Sequence, residues 1–323
     1  HIALDFHEYR PFRKDFAQLS SFGISNPYDV MFLHTGNLNV PENIRVIIDT
    51  LFVKNAKISL DKLNLRHRHY IKSEKYKGEI HFSTGSNTAR SSSNFYALNN
   101  GIATLFEIRG VGIGKTSFKR RINSGLAVGF SFLKTAFENS NFIFNQIDVA
   151  NTNTNDIVLQ HERSIYTDVI KAIDIESNEL IDFTTTMHSS KDSYAISKRD
   201  RPLAYIIKKN NYGFIEKLND VGVNYVEFER DTMIYSGGYK VVEFNNNFKV
   251  YEKMKMQKVV TSIEYSNNKF SKGDILISMS QKRSNLIAEL LEPEAPNSYV
   301  SFGIIKTSLN KQLPIYRIKN FNN

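Results

Sequence analysis

The sequence predicts an α/β fold, a mixed sheet flanked by helices, followed by a smaller β-rich domain. In residues 1–150, short apolar runs alternate with long helical patterns, as layers of sheet and helix require. From Arg201 onward the pattern changes to short strands separated by Pro, Gly and Asn clusters. The chain of 323 residues is long enough for two domains at roughly 100–200 residues each. The expected division is a first domain over 1–150, a polar connecting region over 151–199 and a β-rich domain over 200–323.

The elements follow in order. Ile2 to Phe6 and Val30 to Leu33 read as strands, and Pro41 opens a helix because its missing N–H is not needed in a first turn. Ile44, Ile47, Ile48, Leu51 and Phe52 recur at helical spacing and predict one buried face. Residues Ser83 to Asn94 are almost entirely small and polar, which predicts a loop. Ala103 to Ile108 reads as a buried strand. A long helix is expected from Ser117 to Glu138, with Ile122, Leu126, Phe130 and Leu133 facing inward. The stretch 151–199 offers one plausible element, near Ile165 to Ile175. Beyond it, strands are expected at 203–207, 223–228, 239–244, 259–265 and 274–277, with helices near 212–221 and 282–291. Pro202, Gly237-Gly238, Asn245 to Asn247, Asn267-Asn268 and Gly273 supply the turn residues between them.

The composition, 41% hydrophobic and 23% charged, excludes global disorder, collagen and coiled coil. No apolar run approaches the ~20 residues of a membrane-spanning helix. The absence of cysteine removes disulfides, thiolate zinc sites and thiol catalysis. Net charge is +9, and residues 1–150 hold 19 basic and 12 acidic residues, so the excess lies in the first half. It concentrates at Arg66 to His69 and Lys119 to Arg121. A solvated face or a funnel toward an anionic group explains this better than nucleic acid does. His1 opens the sequence without a signal-peptide pattern, so a beginning inside a longer protein is expected.

Three segments could carry chemistry. Asp5 and His7 share a face of a strand, where a carboxylate can orient an imidazole and raise its basicity. Alternatively, His7 is an ordinary strand-end histidine. Glu107 sits in an apolar strand, where desolvation disfavours its charge, and either serves as a general base or pairs with Arg109 on the same face. Gly110 to Thr116 looks like a phosphate loop, but Arg109 occupies the position where that pattern needs its first glycine, which leaves a nucleotide-hydrolase reading weak. His67 and His69 share a strand face, yet lie among Arg and Lys that would repel a zinc ion.

Taken together, Asp5 to Glu8, Arg90 to Leu98, Phe106 to Gly114 with Thr116 to Arg121, and Leu290 to Glu294 through Leu313 to Arg317 resemble bacterial zinc carboxypeptidases of the carboxypeptidase A type. The resemblance runs in register from the first residues to nearly the last. It implies a partial zinc carboxypeptidase fold over 1–150, with His7 as the later zinc-ligating histidine and Glu107 as the base that activates zinc-bound water. Asp5 would support His7. Tyr96 and Arg90 are the nearest candidates for contacting a peptide or peptidoglycan-peptide substrate. The HxxE motif that supplies the first two zinc ligands is absent, since no histidine is followed by Glu three positions later. The resemblance therefore implies the rear portion of a secreted or periplasmic zinc peptidase, inactive alone. A non-catalytic peptide- or cell-wall-binding member of the same fold is the alternative.

Overall fold

The structure, a computed structural model, describes residues 1–11, 23–209 and 212–319. The chain forms two compact units, one of residues 1–150 and 162–194, the other of 151–161 and 195–323.

The first unit is built on a four-stranded sheet of order β1-β7-β3-β4. β1 (Ile2–Tyr9) and β7 (Ile102–Arg109) run parallel, β3 (Val30–His34) is antiparallel to β7, and β4 (His67–His69) is parallel to β3. In the middle strands, β3 and the first five residues of β7 are buried throughout because both of their faces are covered. A helical stretch follows β3: α1 (Glu42–Ile47), a π-wound segment (Ile48–Val53) and α2 (Lys54–Asp61). Ile44, Ile47, Ile48 and Phe52 are buried as the periodicity requires. α3 (Ser92–Leu98), α4 (Phe118–Glu138) and α5 (Ser140–Asn151) complete the helices of this unit.

The face of α4 differs from expectation. Ile122, Leu126, Phe130 and Leu133 are exposed, and the side turned to the sheet carries Ser124, Val128, Ser131, Phe132 and Thr135. The reason is close approach. Carbon side chains built at Gly125 and Gly129 would sit 3.3 Å from Ile108 and 3.6 Å from Phe6, so the helix lies close on the strands at these two glycines, while Val128 and Phe132 fill its buried side.

A second sheet has the order β2-β8-β9-β6-β5. It contains β2 (Ile24–Ser25), β5 (Ile71–Tyr76) and β6 (Glu79–Thr84), together with β8 (Ile157–Asp174) and β9 (Leu180–Arg199), which run through both units. Residues 151–199 are thus mostly two long strands rather than a polar stretch with one element. Their apolar residues are spaced by charged ones, which hid the strands in the sequence.

In the second unit, six antiparallel strands take the order β11-β14-β10-β15-β12-β13. They are β10 (Ala204–Ile207), β11 (Val226–Glu227), β12 (Thr232–Tyr251), β13 (Met254–Phe270), β14 (Ile275–Ser278) and β15 (Gln312–Ile318). α6 (Tyr212–Asp220) and α7 (Ser284–Leu291) accompany them, and α7 joins the core through Ile287, Ala288 and Leu291. Gly237-Gly238 and Asn267-Asn268, expected as turns, lie inside paired strands. A side chain at Gly237 would collide with Ile263 and Tyr265, and one at Gly238 with Gln312, so these glycines admit neighbouring side chains rather than a bend.

Candidate active site

Side chains alternate along each strand, and residues paired across a sheet share a face. Because His7 pairs with Glu107, and Glu107 with Met31, these three project from one face of the first sheet together with Asp5. Phe6, Phe106 and Phe32 occupy the opposite face, with ring centres 5.0 and 5.8 Å apart along the row, and Phe132 of α4 packs on Phe106 there. The two expected functional residues are therefore side by side on adjacent parallel strands, away from α4.

The local contacts organise this pair. Asp5 Oδ1 lies 3.1 Å from His7 Nε2, and Ser92 at the start of α3 donates to Asp5 Oδ2 at 2.6 Å. A carboxylate so held fixes the orientation of the ring and leaves Nδ1 as the nitrogen for a metal. Ser92 was not singled out in the sequence, where it was one of three consecutive serines. Glu107 is partly buried and borders a cleft of about 160 Å³ lined also by Glu8, Tyr9, Arg10, Asn26 and Met31. Tyr9 in its wall is buried and bonds Asn26 Oδ1 at 3.0 Å and the Tyr28 carbonyl. Burial pushes its phenol pKa up, so it stays protonated. Arg90 is exposed, and Tyr96 is an exposed residue of α3 whose ring meets Phe95.

His7 belongs to no group of three potential metal ligands among the described residues. Among the described residues, the only group of three potential ligands is elsewhere: His34, Asp49 and His69, whose donor atoms lie within 4.8 Å of one another. His34 ends β3, His69 ends β4 and Asp49 belongs to the π-wound segment, so topology assembles residues that sequence spacing does not connect. His34 lies two residues beyond Phe32 and shares its face, opposite to His7 and Glu107, so the cluster cannot share an ion with His7. His34 Nε2 and His69 Nε2 stand 3.7 and 3.9 Å from Asp49 Oδ1. Lysines also reach in: Lys191 Nζ is 2.5 Å from Asp49 Oδ2, and Lys57 Nζ is 3.2 Å from His69 Nε2. Burial lowers the His34 pKa to about 4 and lowers that of His69 as well, so both rings are neutral at pH 7 and Lys57 can donate to His69. His69 thus joins a possible metal group that its basic sequence neighbours argued against. The two ammonium groups give that argument its structural form.

The basic clusters are largely paired. Arg120 grips Asp29 through two bonds of 2.6 and 2.8 Å, Arg121 bonds Glu8 at 2.6 Å, Arg68 pairs with Asp168, and His67 lies 2.8 Å from Asp61. In the glycine-rich segment before α4, the Gly114 carbonyl accepts a bond from Arg121 at 2.7 Å.

No family model matches the chain, and no solved structure matches it. The chain is distantly similar to fungal carboxypeptidases. It is 29% identical over 333 residues to "Carboxypeptidase 2" of Trichophyton equinum and 28% identical over 328 residues to the protein of that name in Trichophyton tonsurans, in each case over 99% of this chain. "Probable carboxypeptidase 2" of Arthroderma benhamiae is 28% identical over 90% of it. The chain spans 60% of the length of the two Trichophyton proteins. The expected resemblance was to bacterial enzymes, whereas these relatives are fungal.

Proposed function

We propose that this chain is part of a zinc-dependent metallocarboxypeptidase that removes C-terminal residues from peptides, peptidoglycan peptides included. The observation that carries the reading is the placement of His7 beside Glu107 on one sheet face, next to a cleft. Similarity to carboxypeptidases over 99% of the chain supports it. Zinc, when bound, supplies a Lewis acid that brings the pKa of its water toward ~7. His7 would hold it, with Asp5 and Ser92 fixing the ring. Glu107 takes a proton from the attacking water and returns it to the leaving amine. A carboxylate at the rim of a half-buried cleft can do both, because it reaches solvent-borne substrate and is still partly shielded from bulk water.

One histidine does not hold zinc, so the chain by itself would be inactive and its remaining ligands would come from beyond residues 1–323. The same observation favours a second reading, a non-catalytic relative that binds peptide without cutting it. Elemental analysis of the whole protein separates the two. The proposed enzyme contains one zinc per chain and releases free C-terminal amino acids. A metal-free protein that binds peptide and releases nothing would establish the second reading instead.

A further inference from the structure

The hairpin of β12 and β13 is longer than the sheet it belongs to. β12 pairs with β15 only at Gly237, Gly238 and Lys240, whereas its pairing with β13 continues to Tyr251 and Met254. Past Val241, which exchanges backbone bonds with Asn310 and Lys311, the two strands run on as a ribbon of their own. Glu252 and Lys253 make the turn, both at the positive φ (46° and 68°) that a tight two-residue hairpin turn requires. A lone two-stranded ribbon is marginal, and this one is held along its β13 edge. The Gln257 backbone amide donates to the Ser301 carbonyl at 2.9 Å, its side chain donates to the Val300 and Ile305 carbonyls at 2.6 and 2.9 Å, and the Tyr251 ring meets Phe302 edge-on. The end of the ribbon is thereby anchored to its own unit.

What this end presents is both cationic and apolar. Residues 245–258 hold Lys249, Lys253, Lys255 and Lys258 against one acid, Glu252. All four lysines are exposed, and among the described residues none of them is paired with a carboxylate. Val250 pairs with Lys255 across the ribbon and shares its face, and Phe248 lies two residues before it. Val250 is 69% exposed, Phe248 45%, and Met254 beside the turn is exposed as well. The Lys249 and Lys258 ammonium groups stand 5.5 and 5.7 Å from the centre of the Phe248 ring, so cations flank the apolar tip. Lysine by itself is ordinary protection for an edge ribbon against strand pairing. Exposed Phe, Val and Met at the same end work against that protection, and the combination suits a surface that offers anions and an apolar layer side by side.

We propose that the end of the β12–β13 hairpin docks on an anionic lipid bilayer, with Phe248, Val250 and Met254 entering the headgroup boundary and the four lysines facing lipid phosphates and carboxylates. Charge complementarity carries the choice of an anionic surface, because the only acid among these residues is Glu252. The apolar side chains carry the choice of a bilayer. A nucleic acid or an acidic polysaccharide would use the lysines but leave Val250 and Met254 in water, whereas a bilayer removes them from it. Lysine suits this depth, since its aliphatic stem lies along the apolar layer while the ammonium stays among the headgroups. The inference concerns the second unit alone and is independent of the peptidase reading.

The test is co-flotation of the full chain with phosphatidylcholine vesicles containing about one-third phosphatidylserine, and with phosphatidylcholine alone. The chain should float with the anionic vesicles, more weakly as salt is raised, and partition at least about tenfold less onto the neutral ones. The double variant Lys253→Glu, Lys255→Glu should lower partition onto anionic vesicles by at least about tenfold. Phe248→Ser with Val250→Ser should lower it by about as much, through lost apolar burial. Both double variants should keep the thermal melt of the native chain, since all four side chains are exposed. Because the sequence has no cysteine, Val250→Cys takes a single environment-sensitive fluorophore, whose emission should shift to the blue on anionic vesicles. Three results overturn the proposal: no flotation with anionic vesicles, either double variant partitioning like the native chain, or a label at position 250 that stays in water while heparin binds the chain through the same lysines.

Discussion

The buried His34 makes the first unit sensitive to mild acid, and the size of the effect can be worked out. Its imidazole titrates at about 4 in the folded chain, against an ordinary value of 6.5, because burial penalises the cation more than Asp49 attracts it. The unfolded chain therefore binds the proton first as pH falls, and stability declines from about pH 6.5 downward, levelling off below about 4. Between pH 7.5 and pH 5.0 the linkage amounts to about 2 kcal/mol, and over the full window to about 3 kcal/mol. His69 shifts in the same direction and adds to the loss. The assay is urea unfolding at half-unit pH steps, comparing the native chain with His34→Asn and following tyrosine fluorescence. The native chain should lose about 2 kcal/mol more than the variant over that interval. Equal pH slopes for the two proteins would refute the account of a neutral, desolvated histidine.

Other predictions concern the second unit, α4 and the support of His7. Arg199 bonds Glu292, which is fully buried, at 2.5 Å, and Glu294 at 2.9 and 3.1 Å, while Tyr205 and Tyr239 donate to Glu292 at 2.5 and 2.9 Å. Arg199→Met should therefore cost about 3–5 kcal/mol by stranding a buried carboxylate, read by calorimetry of the second unit. A loss below about 1 kcal/mol would mean that the tyrosines suffice. Leu126→Ala in α4 should change stability by less than about 0.5 kcal/mol in the chain alone, where a core leucine would cost about 2–5. Ser92→Ala should lower kcat of the whole enzyme by about tenfold or less, through a looser Asp5 and His7. Restoration by Ser92→Thr would assign that loss to the hydroxyl.

Much of the first sheet was legible because β1, β3 and β7 are rich in apolar residues, and Asp5, His7 and Glu107 could be placed on β1 and β7 from alternation alone. What alternation could not supply was pairing. That His7 and Glu107 are level with one another follows from the parallel register of β1 and β7, a long-range fact. The same limit concealed His34, Asp49 and His69, which are brought together by two strand ends and a helix. The period of α4 was readable but its direction was not, since the longer apolar stripe is ordinarily the core side and here the buried side is the mixed one of Ser124, Val128, Ser131, Phe132 and Thr135. β8 was legible only in part, near Ile165 to Ile175, and β9 not at all, because charges such as Glu162, Arg163, Lys191 and Asp192 interrupt them. Several of those charges pair with neighbouring elements: Arg163 with Glu74, and Lys191 with Asp49.

In the proposed enzyme Glu107 moves the proton in peptide hydrolysis while His7 holds the metal. Glu107→Gln keeps the size and hydrogen-bonding capacity of the side chain but removes its basicity. In the whole protein, with zinc content measured on the same sample, this variant should retain zinc and lose at least about a hundredfold in kcat for release of a C-terminal residue. Turnover within a few-fold of the native enzyme, with zinc still bound, would contradict the account.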